Sequence, residues 1–215
     1  MAKYNTICLK KDKEKSKMRC FSCDNLSIKP ICDSCLKEFL TPEFIEKRVG
    51  NLEVISFFDY YLIVEFVKSK YISSGYRVYK YLAQRFFNRF LTNYIENLKT
   101  NKQVYLIGID ENVDRGYSNI SLLMHYGAKG NRLKPLHNAL RAKNKVKYAG
   151  QSLEFRLNNP RNFRYKGPKN IDAILIDDTI TTGTTLQEAS RVLKENGVNL
   201  HFALTLANAK EGIDY

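Results

Sequence analysis

Ile174-Leu175-Ile176-Asp177-Asp178-Thr179-Ile180-Thr181-Thr182-Gly183-Thr184-Thr185 is the stretch that decides how this chain folds. Its apolar residues continue a run from Ile171, and a short apolar run bounded by turn residues predicts a strand buried on both faces. Its last residues are small, hydroxylated and interrupted by one glycine. Beyond them Leu186 to Glu195 reads as a helix closed by Asn196-Gly197. Strand, glycine loop and helix in that order belong to a sheet covered by helices.

Working outward, Val104-Tyr105-Leu106-Ile107-Gly108-Ile109 predicts a second buried strand, Val198 to Leu206 a third, and Ile120 to Tyr126 a helix between them. The fold class is therefore α/β, a parallel sheet with flanking helices. Nearer the N-terminus Leu52 to Phe58 reads as a strand. Val78, Leu82, Phe86, Phe90 and Tyr94 recur every four residues, with Leu91, Ile95 and Leu98 beside them, which predicts a long helix after Ser74-Gly75. Thr41-Pro42-Glu43 carries a helix-start signal, Thr as N-cap and Pro at the first helical position.

Four of the five cysteines, Cys20, Cys23, Cys32 and Cys35, follow the spacing C-x2-C-x8-C-x2-C. Two close CxxC pairs in an intracellular chain point to a tetrathiolate zinc site rather than to disulfides. So short a segment cannot bury a core of its own, so the metal supplies most of its folding energy. Cys8 has no partner left over. The expected organisation is a basic tail over 1–18, a four-cysteine zinc module over 19–40 and an α/β domain over 41–215. No apolar run approaches the roughly 18 residues of a membrane span, and the first 20 residues lack the apolar core of a signal peptide. A cytoplasmic protein without membrane insertion is expected.

The net charge is +13, and most of it is concentrated. From Lys129 to Lys169 there are 12 Lys or Arg against one acid, Glu154, a net +11 in 41 residues. Such a field attracts phosphates, free or polymeric. Arg141-Ala142-Lys143-Asn144-Lys145-Val146-Lys147-Tyr148 alternates strictly. It reads either as an edge strand kept soluble by charge or as a loop folding its basic face over a phosphorylated ligand.

Chemically, the loop after Asp178 is built for an anion. Gly183 allows a tight turn with successive N–H groups facing one concavity, and the following helix adds its positive end. Thr181, Thr182, Thr184 and Thr185 add hydroxyl donors. Asp177 and Asp178 would repel a phosphate, but adjacent carboxylates suit a ribose diol or a divalent cation shared with the ligand. Diol, phosphate and acids together describe a ribose 5-phosphate.

The run Ile174 to Thr185 resembles the signature of type I phosphoribosyltransferases. The likeness to the ComF-type competence proteins goes further. These share the paired CxxC motifs, an element similar to Lys70-Tyr71-Ile72-Ser73-Ser74-Gly75, one similar to Arg115-Gly116-Tyr117-Ser118-Asn119, and spaced residues like Arg141, Gln151, Arg156, Asn159 and Phe163. The resemblance implies phosphoribosyl pyrophosphate held with magnesium by Asp177, Asp178, Thr179, Ile180, Thr181, Thr182, Gly183, Thr184 and Thr185. It also implies handling of incoming single-stranded DNA in natural transformation, beside other DNA-uptake or recombination proteins. Arg141, Lys143, Lys145, Lys147, Arg161 and Arg164 are the candidate DNA contacts, with Tyr148, Phe155, Phe163 and Tyr165 interleaved as rings for stacking. The alternative is an active phosphoribosyltransferase of unknown acceptor, with Arg115, Lys143 and Lys145 as candidate groups on the leaving pyrophosphate. Two departures stand out. Purine-salvage members carry an Asp where this chain has Thr181, and Ile109-Asp110-Glu111-Asn112 places two acids where relatives carry prolines and basic residues.

Overall fold

The computed structural model describes residues 19–111, 113, 116–144, 146 and 151–209. The expected basic tail, Cys8, Arg115, Lys145, Lys147 and Tyr148 lie outside the described residues. A short helix α1 (Asp33–Phe39) precedes a hairpin of β1 (Ile45–Val49) and β2 (Leu52–Asp59), then helix α2 (Tyr60–Lys68). Next, α3 (Gly75–Leu82), a π-helical stretch (Ala83–Phe87) and α4 (Asn88–Asn97) run on without a break. They are followed by β3 (Val104–Gly108), α5 (Asn119–Gly127), β4 (Lys134–Leu136), β5 (Leu140–Ala142), α6 (Leu153–Asn158) and β6 (Phe163–Tyr165). The last elements are β7 (Asp172–Ile180), α7 (Thr184–Glu195) and β8 (Asn199–Asn208).

Six strands form one sheet in the order β1-β2-β8-β7-β3-β4. All neighbours are parallel except β1, which pairs antiparallel with β2 at the edge. Successive residues of the inner strands serve opposite faces. Leu106, Ile174 and Ile176 pack with Tyr79, Phe87, Leu91 and Leu123 on one side. Ile107 and Leu175 pack with Leu186, Ala189 and Leu193 of α7 on the other. Both faces are covered, which is why these strands read as continuous apolar runs rather than alternating ones.

The start signal at Thr41-Pro42-Glu43 does not open a helix. Glu43 N–H donates instead to the Phe57 carbonyl at 3.0 Å, and the chain enters β1. Pairing along all five residues of β1 with β2 overrides the local preference. Of the alternating stretch from Arg141, the described residues place Arg141 and Ala142 in a short strand, β5, paired with β6 outside the main sheet. The cysteine segment packs directly on the domain: Cys20, Ile31, Cys35 and Leu40 belong to the same cluster as Phe57 and Phe87. No helix among the described residues is long and apolar enough to cross a membrane.

Candidate functional site

β7 outlasts its neighbour. Its pairing with β3 ends at Gly108↔Ile176, followed by one further bond from Ile109 N–H to the Ile176 carbonyl at 2.9 Å. Asp110, at φ +45°, then turns the chain away. Residues 177–180 continue with β8 alone. The space that β3 vacates is a cavity of about 610 Å³ at the carboxyl end of the sheet, where open α/β sheets take their ligands. Asp177 and Asp178 leave the strand on opposite faces, yet both line this cavity because the strand edge between them is open.

The two acids differ electrically. Asp178 Oδ2 accepts from Lys70 Nζ at 2.6 Å and from Asn119 Nδ2 at 2.8 Å. Burial alone would lower the Lys70 pKa, but the Asp178 charge outweighs it and the ammonium is held more firmly than usual. Asp177 Oδ1 accepts from the Asp178 backbone N–H at 2.8 Å and has neither a lysine nor an amide donor among the described residues. Its pKa is pushed up to about 8, by burial first and by the neighbouring Asp178 charge second.

Beyond β7 the loop turns at Gly183, φ +84°, which opens α7 without a side-chain cap. Thr182 and Thr184 hydroxyls lie 3.2 Å apart. Two cations flank the loop: Lys47 Nζ donates to the Thr181 carbonyl at 2.8 Å, and Arg156 Nη1 to Thr181 Oγ1 at 2.5 Å. The α7 N-terminus, hydroxyls and flanking cations together favour a bound anion.

No protein-family model matches the chain, and no curated protein matches its sequence. Solved structures do. Hypoxanthine phosphoribosyltransferase from Staphylococcus aureus matches with 16% identity and TM-score 0.35, over 60% of this chain and 62% of that one. Adenine phosphoribosyltransferase from Saccharomyces cerevisiae matches with 15% identity and TM-score 0.42, over 82% and 89%. Orotate phosphoribosyltransferase from Aeropyrum pernix matches with 17% identity and TM-score 0.36, over 81% and 80%. This chain thus spans less than two thirds of the staphylococcal chain. At this level of likeness the site's chemistry has to stand on its own geometry.

Of the sequence-predicted ligand residues, Asp177, Asp178, Thr179, Thr181 and Thr185 line the cavity. Ile180, Thr182, Gly183 and Thr184 are not among the cavity's lining residues; Ile180 is buried in the core beneath α7, so only its backbone is available to a ligand. The basic candidates separate. Arg161 lines the cavity and pairs with Asp110 at 3.5 Å, rather than facing outward. Arg141, Lys143 and Arg164 are exposed on the β5–β6 side. Asp110 and Glu111, the two acids that depart from the resemblance, are both engaged by the protein. Asp110 also accepts from Ala142 N–H at 3.3 Å. Glu111 is 2% exposed, and its carboxylate accepts from Ser121 Oγ, from Asn138 N–H at 2.7 Å and from His137 Nδ1 at 2.7 Å. Burial opposes the Glu111 charge, but these bonds prevail and hold it below the usual carboxylate range; the same bond raises His137. Lys70 and Asn119 stand in the two elements that carry the ComF resemblance, though no role was assigned to them; Lys47 and His137 are marked by no local pattern.

The cysteine cluster is compact. All four sulfurs lie within 4.8 Å of one another, and Cys23 Sγ to Cys32 Sγ is 3.7 Å. A tetrahedron with zinc–sulfur bonds of about 2.3 Å has edges of roughly 3.8 Å, so the set fits the ion. Burial pushes the Cys35 thiol up to about 12, with the other sulfurs adding to it. A bound dication reverses that preference by stabilising the thiolates.

Proposed function

We propose that the cavity beside β7 binds a phosphorylated ribose, with phosphoribosyl pyrophosphate as the ligand, and that Cys20, Cys23, Cys32 and Cys35 hold a structural zinc ion. The observation that carries the ribose reading is one juxtaposition. Two carboxylates sit at an open strand edge, directly before a glycine loop flanked by Lys47 and Arg156. The acids take the ribose hydroxyls, and the loop with the start of α7 takes the 5-phosphate. Arg161, which lines the same cavity, is placed for the pyrophosphate. Magnesium, expected with this ligand, finds Asp178 Oδ2 already held by Lys70 and Asn119. Titration calorimetry with phosphoribosyl pyrophosphate tests the site. Thr182→Val, which removes a hydroxyl at the loop, is expected to weaken binding about tenfold, the value of one charge-assisted hydrogen bond. Unchanged affinity rules the loop out.

Transfer to an acceptor is the second reading, favoured by the wall of Tyr60, Tyr71 and Tyr117, which offers flat faces to a planar group. The acceptor would attack the anomeric carbon as the bond to pyrophosphate breaks, the electron pair leaving with the pyrophosphate. The protein's part is position and charge. Thr181 offers no proton acceptor comparable to a carboxylate, so an acceptor that arrives deprotonated is the simplest partner.

The ComF resemblance and the charge concentration support a role in handling single-stranded DNA during transformation, in the cytoplasm. Arg141, Lys143 and Arg164 are the exposed cations that favour it. If phosphate contacts dominate, affinity falls with salt at a log–log slope of roughly −0.7 per contact on a single strand. Replacing Lys143, Lys145 and Lys147 together by Gln is expected to flatten that slope and to weaken all sequences alike in anisotropy titrations. A wild-type slope in that variant would leave the stretch a solvated surface.

A further inference from the structure

We infer that Lys70 is a built-in cation standing where a divalent metal would sit at the Asp177–Asp178 pair, so that the ribose half of the ligand binds without magnesium. The inference deepens the phosphoribosyl reading and rests on it. The Lys70 ammonium lies 2.6 Å from Asp178 Oδ2, and the same oxygen accepts from Asn119 at 2.8 Å. One carboxylate oxygen therefore already carries a positive charge and a second donor. Magnesium demands oxygen ligands at about 2.0–2.1 Å in octahedral array. To reach Asp178 Oδ2 it would have to displace both donors or stand beside the ammonium, where like charges repel. An ammonium has three N–H donors; the Asp178 bond uses one, and the others remain for ligand oxygens in the cavity that Lys70 lines.

The lysine is held in place by its backbone. It sits in a single 3-10 turn, Ser69–Tyr71, between α2 and α3. Ser69 is buried; its hydroxyl donates to the Phe66 carbonyl at 2.6 Å, and its own carbonyl accepts from Ile72 N–H at 3.0 Å. Tyr117, from the chain entering α5, donates its hydroxyl toward the Ser69 and Ile72 carbonyls at 3.3 and 3.1 Å. Gly75 closes the turn: a Cβ there would lie 1.9 Å from the Ser69 carbonyl oxygen, so no other residue lets α3 start so close. A side chain on so tightly tied a turn is preorganised rather than a passing surface lysine. The raised Lys70 pKa agrees with a permanent charge at this place.

The test uses ribose 5-phosphate, which lacks the pyrophosphate that carries magnesium of its own. Wild-type protein is expected to bind it equally with excess chelator and with magnesium. Lys70→Met is expected to lose about tenfold or more in chelator, the loss of one charge-assisted bond, and to recover part of it when magnesium is added. Lys70→Arg, which keeps the charge, should retain metal-free binding. A second readout needs no sugar: manganese relaxation titrations should find no manganese at the acid pair in wild type and a new site in Lys70→Met that Asp178→Asn then removes. A wild type that needs magnesium for ribose 5-phosphate, or a Lys70→Met variant that binds as tightly in chelator, overturns the inference. Wild type that ignores ribose 5-phosphate in both conditions instead sinks the phosphoribosyl reading, while the manganese comparison still judges Lys70. A wild-type manganese site at the acid pair overturns the inference by itself.

Discussion

Cys35→Ser is expected to abolish the proposed zinc site and to lower the melting temperature of the whole chain by roughly 6–12 °C. The size follows from where the module sits. Cys20 and Cys35 are buried, and with Ile31 and Leu40 they belong to the cluster that contains Phe57, Tyr79 and Phe87. Phe21 adds a ring contact to Phe66 of α2 at 6.1 Å. Metal loss therefore uncovers one end of the domain core instead of melting an isolated finger. Structural zinc contributes about 10–16 kcal/mol in isolated zinc-finger peptides. If a quarter of that, roughly 3 kcal/mol, reaches the global transition, a chain of this size shifts by about 2–4 °C for each kcal/mol. Metal analysis and thermal melts of the two proteins check it. Equal zinc content would take Cys35 out of the ligand set, and zinc loss without a change in melting would remove the metal from any role in the fold.

What local sequence revealed, and what it hid, divides along a physical line. Strands β3, β7 and β8 were legible because both faces of each are buried, so their apolar runs are continuous. The acids and the threonine–glycine loop were legible because they are contiguous, from Asp177 to Thr185. β1 was not. Three of the five residues of Ile45-Glu46-Lys47-Arg48-Val49 are charged, and only its pairing with β2 makes it a strand. The helix signal at Thr41-Pro42-Glu43 is sound locally and loses to that pairing. The pairing of the cations around the site was hidden for a related reason. Lys70 meets Asp178 across 108 residues of sequence and Lys47 meets Thr181 across 134. No window of adjacent residues contains such a pair. Glu111 stood out in the sequence as a departure from the resemblance, and its burial was not legible because its partners His137, Ser121 and the Asn138 N–H are distant in the chain.

Gly183→Ala is expected to abolish measurable binding of phosphoribosyl pyrophosphate and to destabilise the chain by about 2–4 kcal/mol, the sum of a left-handed backbone penalty and an overpacked contact. Two independent causes are visible. Gly183 adopts φ +84°, where a side chain is strained, and an added Cβ would stand 2.6 Å from Val49 Cγ2 and 2.9 Å from Val49 Cγ1. The second cause can be removed alone. Val49→Ala opens the space at a cost of its own, since Val49 is buried against Leu186 and Ile180. In the double variant the clash disappears, while the backbone penalty of about 1–2 kcal/mol remains. The double-mutant cycle is therefore expected to show favourable coupling of about 1–2 kcal/mol between the sites, read from chemical denaturation. Binding should return only in part, because the loop N–H groups proposed to bind the phosphate depend on the turn as well as on the space beneath it. Additive effects would mean that the loop relaxes away from β1 without using Val49 as its floor. Ligand affinity close to wild type in Gly183→Ala would mean that the turn is not what holds the phosphate.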